Sequence, residues 1–450
     1  MQIMSDPIET FAVRRAKLVA ELKANDSPVG LGKDTSNLFR DRSVKGKRHL
    51  DVRAFNQVLE VNAEQGWVDV EGMTPYDALV EHTLKHGVMP AVVPQLKSIT
   101  IGGAVAGVGI EASSFKYGLV HDTLIEIEVL TGTGEIVVAR PDNAHRDLFF
   151  GFPNSYGTLG YALRVRARTV PVKPFVELHH RQYASAYKCF AALREISESD
   201  ADFVDGVVFD RGQMVITVGR FTDQAPWVSD YTYEKIFYRS LLQQDVDFLS
   251  VSDFIWRWDT DWFWCSKNLG AQTPFFRRLL GPSRLNSRFY TKLMRWNTRI
   301  GLTRLIDRLS GRHRESVIQD VDIPVEHASE FLEFFLKEIG ILPIWLCPIR
   351  AREPLGNFDL YPVRENQLLV NFGFWDVVRR SNGFDRGFHN RLIEKKVQAL
   401  GGIKSLYSES YFTEPEFWRA YNGEAWRRLK ARYDPKGVLG DLYRKTVLKH

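Results

Sequence analysis

Two clusters of glycine between Gln95 and Gly118, in the stretch QLKSITIGGAVAGVGIEASSFKYG, carry the clearest chemical signal in this sequence. Glycine leaves backbone N–H groups bare, and turns of this kind bind the phosphates of nucleotides. Gly107, Gly109 and Ala112 match the G-x-G-x-x-G/A fingerprint of a Rossmann turn. That fingerprint requires a long helix, for which the few residues before Gly118 leave no room. The cluster TIGG instead predicts a compact phosphate-binding turn, with a plain glycine turn between strands as the alternative.

A second chemical signal is the basic segment 275–314, in which eleven Lys and Arg residues accompany a single acid, Asp307. Its apolar residues often recur every three or four positions, which is typical of a basic amphipathic helix. Four tryptophans precede it in FIWRWDTDWFWC, and tryptophan favours the membrane interface. We predict that region 254–314 faces an anionic membrane surface through 275–314, with a solvated helical face as the alternative. Patterns typical of nucleic-acid-binding proteins are missing, so no nucleic-acid partner is expected.

Length and composition limit the class of protein. A chain of 450 residues exceeds a single core and predicts two or three domains. The three cysteines are far apart and have no CxxC spacing, which predicts neither a disulfide framework nor a metal site. No segment has the pattern of a signal peptide or of a transmembrane helix. We therefore expect a cytoplasmic protein, peripheral at the inner face of the membrane.

The elements that must position these residues are short strands and single helices without βαβ periodicity, which predicts an α+β fold. Two prolines, Pro171 and Pro174, follow an alternating strand, and patterns of larger helices begin after them. This change predicts a domain boundary near Val172 to Phe175. The apolar run PIWLCPIR predicts a buried strand in the second domain. Helices are predicted over 8–23 and 76–86, and strands over 50–52, 58–61, 67–70, 98–101, 124–131 and 135–139.

Three segments in this order resemble the FAD-binding domain of the vanillyl-alcohol oxidase family, also called the PCMH type: TIGGAVAGVGIEASSFKYGLVHD, LIEIEVLTGTGEIV and DLFFGFPNSYGTLGYALRVRARTVPV. Within that family, GIEASSFKYG, VIQDVDIPV, LPIWLCPI, EPEFWRAY and YRKTVLKH are similar to Δ24-sterol reductases and to bacterial reductases of 10-methylene fatty acyl chains. The resemblance extends from about Gly32 to the end of the chain. The segment KDTSNLFRDR resembles the bacterial reductases in particular, so we rank the bacterial subgroup first.

This resemblance implies a two-subdomain PCMH-type FAD-binding domain over 1–174 and an α+β substrate (cap) domain over 175–415. A C-terminal segment, 416–450, would return to the FAD domain. Noncovalent FAD is implied, because the glycine stretch has no histidine before His121. The residues that would hold FAD are Thr35, Ser36, Asn37, Gly102, Gly103, Gly107, Ser113, Ser114, Gly118, Gly157, Thr158 and Gly160.

The implied reaction is reduction of a carbon–carbon double bond of a lipid, by protonation and hydride transfer from flavin N5 with NADPH as donor. A 10-methylene fatty acyl chain of phospholipid, reduced to the 10-methyl form, is the first substrate. Δ24-sterol reduction and FAD-dependent oxidation of an alcohol or lipid are alternatives. A third alternative is a flavin-holding partner of another lipid-modifying enzyme, for which a lipid methyltransferase is the candidate.

The proton donor has four candidates in the sequence. Glu111 lies in the glycine stretch, and a loop hydrogen bond is its alternative role. Tyr407, Glu409 and Tyr411 occur in LYSESYF, where alternation would place all three on one face of a strand. Core packing is the alternative role of the tyrosines. A carboxyl group in an apolar pocket would retain its proton, because desolvation raises its pKa.

Overall fold

The computed structural model describes residues 7–24, 26–33, 39–40, 47–300, 313–380 and 385–449. Within them the chain is an α+β protein, which confirms the predicted class. The strands are β1 Val29–Gly32, β2 Arg48–Asp51, β3 Val58–Asn62, β4 Trp67–Glu71, β5 Val88–Pro90, β6 Leu124–Leu130, β7 Ile136–Ala139, β8 Tyr161–Pro171, β9 Phe175–Tyr183, β10 Phe203–Asp210, β11 Gln213–Thr222, β12 Val246–Ser250, β13 His313–Pro324, β14 Ile344–Ile349, β15 Leu369–Arg380 and β16 Ile403–Lys404. The α-helices are α1 Pro7–Lys23, α2 Tyr76–Leu84, α3 Ile101–Ala106, α4 Ser114–Tyr117, α5 Arg146–Gly151, α6 Ala186–Ile196, α7 Phe237–Ser240, α8 Val251–Ile255, α9 Pro274–Leu280, α10 Ser287–Ile300, α11 Ala328–Glu338, α12 Phe388–Ala399, α13 Glu414–Ala420 and α14 Gly423–Tyr433.

The first sheet is antiparallel and has the order β3-β4-β8-β6-β7, with β5 paired to β8. Its central strand β8 alternates buried apolar residues with arginines, as expected for a strand with one polar face. On that face Arg164 and Arg166 donate to Asp69 Oδ2 at 2.6 and 2.7 Å. The apolar side forms a core with the glycine segment, including Ile101 and Val105 of α3. The parallel pair β1–β2 and α1 share a smaller core beside this sheet.

The cluster TIGG begins a short helix, α3, instead of ending the strand predicted over 98–101. Thr100 is extended, and its side-chain oxygen accepts a hydrogen bond from Gly103 N at 3.3 Å, so it caps the helix. Gly102 lies against a second backbone segment, because a Cβ on it would lie 2.7 Å from Gly72 O. The predicted strand is therefore wrong, and the cluster is the close-packed first turn of a helix.

The second sheet is antiparallel, with the order β12-β9-β11-β10-β14-β15-β13-β16. The chain passes from the first sheet into the second between Pro171, where β8 ends, and Phe175, where β9 begins. Helices α6, α11 and α12 share a core with one face of this sheet. All residues of β14 are buried, which confirms the buried strand predicted from PIWLCPIR.

The C-terminal segment packs back against the first domain. From α14, Trp426 Nε1 donates to Thr158 Oγ1 at 3.2 Å, and Lys430 Nζ donates to the Thr158 carbonyl at 2.8 Å. Further along, Val438 O accepts from Val29 N at 2.9 Å, at the start of β1. These contacts join the last elements of the chain to its first strand.

The basic segment forms two helices, α9 and α10, as far as the structure describes it. The predicted helical pattern is therefore confirmed up to residue 300, while 301–312 lie outside the described residues. No helix in the described ranges combines the length and the apolar character needed to cross a bilayer.

Candidate functional site

A cavity of about 420 Å³ lies between the first domain and the face of the second sheet opposite its helices. The glycine segment, strands β13 to β15, the loop around Trp262 and the C-terminal segment contribute to its walls. A cleft between domains is a common place for a cofactor and its substrate.

Bare glycine backbone forms much of the wall contributed by the first domain. Of the residues predicted to hold a cofactor, five line the cavity: Gly102, Gly103, Gly107, Gly157 and Gly160. Gly109, from the Rossmann-like match, lines it too. Without side chains, these positions permit a ligand to approach the backbone closely.

The predicted serines lie behind this wall and not on it. Ser113 Oγ donates to the Ala91 carbonyl at 2.7 Å, and Ser114 Oγ accepts from Glu111 N at 3.1 Å. Both serines are buried, so their hydroxyl groups stabilise the loop after α3. Their closeness to the glycines in sequence does not bring them to the cavity surface.

Thr158 and Gly118 also have structural contacts. Thr158 Oγ1 donates to Ser155 O at 2.8 Å and accepts from Trp426. Gly118 has a φ of +77°, and a Cβ there would clash with the Asp122 carboxylate. Three further residues that were predicted to hold FAD lie outside the described residues: Thr35, Ser36 and Asn37.

Positive charge is concentrated around the cavity. Five basic side chains line it: Lys33, Arg40, Lys47, Lys445 and Lys449. Lys445 Nζ donates to the Tyr156 carbonyl at 2.6 Å, which places a cation beside the Gly157 turn. Cations beside bare backbone are suited to phosphate groups, so this donor set fits a dinucleotide.

Unusual backbone conformations cluster at the same cavity. Among the described residues, eight non-glycine residues have positive φ, and five of these line the cavity: Val108, Tyr156, Trp262, Phe263 and Lys449. Positive φ is rare for β-branched and bulky residues and typically costs about 1–3 kcal/mol. Strain of this kind persists where the surrounding structure requires it, often at functional sites.

Aromatic rings form the opposite wall. Phe263 packs against two tryptophans, with ring centroids 4.5 Å from Trp375 and 5.5 Å from Trp345. Trp345 is fixed by a hydrogen bond from its Nε1 to Asp205 Oδ2 at 3.3 Å. Aromatic faces exclude water and stabilise nearby positive charge.

Asp320 is the carboxyl group that the structure brings into this aromatic region. It lies on β13, on the face opposite the helix-covered core, and it lines the cavity. Tyr407 donates a hydrogen bond to it, and the Tyr407 hydroxyl oxygen accepts from Trp375 Nε1 at 2.7 Å. Within the described chain, Asp320 Oδ1 has no hydrogen-bond partner. Burial raises the pKa of Asp320 to about 8, although the Tyr407 hydrogen bond opposes the shift.

Asp322, two residues along the same strand, has a different environment. Its carboxylate accepts from Tyr361 Oη and from Asn371 Nδ2, both at 2.7 Å. Burial raises the pKa of Asp322 to about 6, with these two hydrogen bonds opposing the shift. At neutral pH the pair therefore contains a protonated Asp320 and a largely ionised Asp322. Two carboxyl groups with separated pKa values are characteristic of acid–base sites.

The sequence contains a signal for this pair that the predictions missed. VIQDVDIP alternates apolar residues and aspartates, which places both carboxyl groups on one face of a strand. The opposite face of the strand carries Val317, Val321 and Ile323, with Gln319 between them, so the strand is buried on that side. Paired acids on such a strand indicate a site rather than a solvated edge. Only the pairing of β13 with β15 shows that this face carries Trp375 as well.

Of the four predicted proton donors, Tyr407 alone lines the cavity. Burial, followed by the neighbouring Asp320 charge, raises the pKa of Tyr407 well above its ordinary value, so it remains neutral. The strand expected over LYSESYF is wrong, because β16 ends at Lys404 and the following residues form turns and irregular backbone. Tyr407, Glu409 and Tyr411 therefore do not share one face of a strand.

Glu409 and Tyr411 lie outside the lining of the cavity. Tyr411 Oη donates to Glu409 Oε2 at 2.5 Å, and Lys449 also pairs with Glu409. Partial burial would raise the pKa of Glu409, but the hydrogen bonds from Lys449 and Tyr411 outweigh it and hold the pKa below its ordinary value. Glu409 is therefore ionised at neutral pH, which does not suit a proton donor.

Glu111 is buried behind the glycine wall, next to a buried charge pair. Arg257 Nη2 lies 2.8 Å from Asp205 Oδ2 and 3.5 Å from Glu111 Oε1. Burial raises the pKa of Glu111 to about 7, with Arg257 opposing the shift. Glu111 is not among the cavity-lining residues, so the structure separates this carboxyl group from the aromatic wall.

Two further observations concern cofactor chemistry. His121 is buried with its ring 4.4 Å from Phe358, and burial lowers its pKa to about 3. It does not line the cavity. In the described part of the chain, no cluster of three or more His, Cys, Asp or Glu side chains is arranged to hold a metal ion.

Comparison with known proteins agrees with this geometry. Residues 15–140 match a family described as FAD binding domain. The chain is 26% identical over 457 residues to a Delta(24)-sterol reductase of Arabidopsis thaliana, covering 91% of this chain and 78% of the relative. It is 25% identical over 413 residues to the Delta(24)-sterol reductase of Homo sapiens, covering 86% and 75%. Cytokinin dehydrogenase 7 of Oryza sativa subsp. japonica is 24% identical over 430 residues, covering 87% and 76%.

The matched family covers the glycine segment and the strands of the first sheet up to β7, whereas β8 lies outside the match. The alignments with the relatives cover 86–91% of the chain and therefore extend beyond this domain. The cavity with its glycine and lysine wall fits the phosphates of the dinucleotide that this family binds. The chain is therefore an FAD-dependent oxidoreductase with a PCMH-type FAD-binding domain, and Delta(24)-sterol reductases are among its homologues.

Proposed function

We propose that this protein reduces an isolated carbon–carbon double bond of an apolar lipid, with Asp320 as the proton donor. The observation that carries the proposal is the position of Asp320, a carboxyl group among aromatic rings in the cavity that also has the glycine and lysine wall. Its Oδ1 atom makes no hydrogen bond to any described residue. Its hydrogen-bonding capacity is therefore not used by any described residue.

The chemistry of an isolated alkene requires such an acid. A double bond without an electron-withdrawing group is a poor hydride acceptor. Protonation of its less substituted carbon leaves a tertiary cation, which then accepts a hydride. The neutral form of Asp320 gives the proton, and the rings of Phe263, Trp345 and Trp375 stabilise the positive charge. Solvent returns a proton to the Asp320 carboxylate after the reaction.

The hydride has to come from the cofactor. FAD, when bound and reduced, supplies it from the flavin ring. The residues that would hold FAD are the lining glycines together with Lys445, whose ammonium lies beside the Gly157 turn. NADPH as the reductant is part of the proposal and is supported by the resemblance of the chain to reductases.

Two lipid classes meet the chemical requirement. A 10-methylene acyl chain and the Δ24 bond of a sterol both give a tertiary cation when protonated. The resemblance of several sequence segments to bacterial fatty acyl reductases favours the phospholipid chain as the first substrate. The names of the homologues, Delta(24)-sterol reductases, favour the sterol. Both substrates belong in the first experiment.

Oxidation of an alcohol or lipid is the second candidate function. It is favoured by the similarity to cytokinin dehydrogenase 7, because that relative has the name of a dehydrogenase. An oxidising enzyme would take hydride from its substrate, and a protonated Asp320 would have no role in that step. Whether the lipid oxidises the reduced flavin or reduces the oxidised flavin therefore distinguishes the two functions.

The test is the visible spectrum of the anaerobic holoenzyme. We expect NADPH to bleach the flavin band, and either a phospholipid with a 10-methylene chain or a Δ24-sterol to restore it. The Asp320→Asn variant should be bleached by NADPH but restored at least about 100-fold more slowly. Bleaching by an alcohol or saturated lipid, with no response to NADPH, would overturn the proposal in favour of oxidation.

A further inference from the structure

Exposed apolar side chains are concentrated on α9. Phe275 is 72% exposed, Phe276 47% and Leu279 65%. Their spacing places them on one side of this short helix. Other large exposed apolar residues of the described chain belong to other segments, such as Trp227 and Val228 between β11 and α7.

The other side of α9 is fixed to the body of the protein. Arg277 is 2% exposed, and its guanidinium pairs with Asp261 at 2.5 Å and donates to the Tyr233 carbonyl at 2.6 Å. The exposed side is therefore held outward by a buried ionic anchor. A helix fixed in this way presents Phe275 and Phe276, which no described residue buries.

Basic residues surround this apolar side. The segment 274–300 contains seven Lys and Arg residues and no Asp or Glu. Besides the buried Arg277, the described side chains of Arg278, Arg284, Arg288 and Lys292 are exposed. Two acids on other elements pair with them: Glu234 with Arg278, and Asp77 with Arg288. The charge of the surface therefore remains positive.

The same helices pack against the cavity wall. Trp262 lines the cavity, and its ring stacks on Tyr290 of α10 at 6.2 Å with an angle of 14°. Phe39, Leu96 and Cys265 also belong both to the lining and to the small core under α9 and α10. Among the described residues, this layer of side chains therefore contacts both the two helices and the cavity.

We propose that α9 and the first turns of α10 form a docking surface for an anionic lipid bilayer. Phe275, Phe276 and Leu279 enter the boundary between headgroups and acyl chains, and the basic residues contact the headgroups. An apolar face bordered by cations matches a charged lipid surface better than it matches a nucleic acid, which offers no apolar layer. Docking here places the cavity wall at Trp262 next to the bilayer.

The test is co-sedimentation of the FAD-loaded protein with vesicles of phosphatidylcholine, with and without phosphatidylglycerol. We expect binding to the anionic vesicles, weakened by salt. The triple variant Phe275→Ser, Phe276→Ser, Leu279→Ser should bind roughly tenfold more weakly or worse. The double variant Trp227→Ser, Val228→Ser removes exposed apolar residues elsewhere and should bind as the unmodified protein does.

A second pair of double variants tests how much the basic residues contribute to vesicle binding. Arg284→Gln with Lys292→Gln should weaken binding to anionic vesicles roughly tenfold. Lys188→Gln with Arg211→Gln removes two exposed cations from α6 and the β10–β11 turn and should have no effect. Thermal unfolding and the flavin spectrum of every variant check that folding is unchanged.

Two outcomes would overturn the proposal: failure of the unmodified protein to bind anionic vesicles, or equal binding by the triple apolar variant. Tight binding of a single-stranded oligonucleotide that does not depend on the three apolar residues would assign the surface to nucleic acid instead. Vesicle binding is measured without substrate turnover, so this result is independent of the proposed reaction.

Discussion

Asp320 combines the features of a proton donor at a single residue. It lines the cavity, one carboxyl oxygen accepts from Tyr407, and the other has no partner among the described residues. Asp322, on the same strand face, is held toward its ionised form by two hydrogen bonds. One strand therefore carries two carboxyl groups with different chemical properties, because their hydrogen-bond partners differ.

The pH dependence of lipid reduction follows from Asp320. Burial raises its pKa to about 8, and the acid form is the active one. The rate at which lipid reoxidises the reduced enzyme should therefore be constant below this pKa and fall as pH rises through about 8. Stopped-flow spectroscopy of the reduced holoenzyme measures it. A rate that increases through the same pH range would contradict the assignment. The control variant is Asp376→Asn, on β15 but outside the cavity lining, which should keep the pH profile of the unmodified protein.

Tyr407→Phe tests the residue that positions Asp320. The Tyr407 hydrogen bond stabilises the carboxylate and lowers the pKa of Asp320. Its removal should raise that pKa, so the falling limb of the pH profile should move to higher pH. A merely structural role of Tyr407 would reduce the rate without moving the limb.

At the scale of elements, strand β15 is shaped to fit the acid and its aromatic neighbour. Gly373 pairs with Asp320 across the sheet, and a Cβ at Gly373 would lie 2.5 Å from Trp375 Cη2 and 2.7 Å from Asp320 Oδ1. Glycine at this position therefore leaves space for both groups. The requirement is steric and not conformational, since φ at this residue is not in the left-handed region.

Gly373→Ala should reduce both stability and lipid reduction. The added methyl group displaces Trp375 or Asp320, at a cost of about 1–3 kcal/mol in the free energy of unfolding. Urea unfolding and single-turnover reoxidation measure the two effects. Gly212→Ala, in the exposed β10–β11 turn where a Cβ has space, is the matched control. Full activity of Gly373→Ala would show that the wall tolerates displacement.

A buried ion pair joins β16 to α12. Lys404 Nζ donates to Glu394 Oε1 at 2.7 Å, and both side chains are almost fully buried. Burial lowers the pKa of Lys404 and raises that of Glu394, while their mutual attraction opposes both shifts. Glu394 also accepts from Tyr411 N at 3.1 Å. The pair therefore fixes the chain just before and after Tyr407.

Lys404→Met should destabilise the protein by about 3–5 kcal/mol, because it leaves the Glu394 carboxylate buried and unpaired. Adding Glu394→Gln should recover part of this loss, since a neutral amide oxygen still accepts from Tyr411 N. Chemical denaturation of the single and double variants measures the coupling. Additive losses in the double variant would mean that the two charges do not interact.

The sequence predicted those elements whose signal is local. The apolar run of β14 and the helices of the basic segment were confirmed, because burial and periodicity are visible within a few residues. Where a side chain lies relative to the cavity was harder to predict from the sequence. Ser113 and Ser114 adjoin the glycines in the chain but lie behind them. The Asp320 site depends on contacts with Tyr407 and Trp375, which β-sheet pairing brings together from distant parts of the chain. No local pattern encodes such a pairing.

At the scale of the whole molecule, the cavity and the C-terminal segment join the two domains. Residues of both sheets line the cavity, and α14 returns to contact Thr158 in the first domain. The domains share one large core that includes residues of β8, β14 and α14. A ligand in the cavity therefore stabilises both domains together.

Removal of FAD should lower the thermal unfolding temperature of the protein as a single transition. A ligand present at a thousandfold excess over its dissociation constant contributes about 4 kcal/mol to the native state. Calorimetry of the holoenzyme and of the deflavinated protein measures the difference. Two separate transitions, with only one changed by FAD, would show that the domains unfold independently.

The alternation of β13 separates two kinds of mutational change. Val317, Val321 and Ile323 belong to the core under the helices, whereas Asp320 and Asp322 line the cavity. Substitution at the first set alters how well the domain folds, and substitution at the second alters which molecule reacts. Selection can therefore act on substrate choice at every second residue while the intervening residues preserve the scaffold. A sheet with one helix-covered face and one reactive face is thus well suited to diversification among lipids.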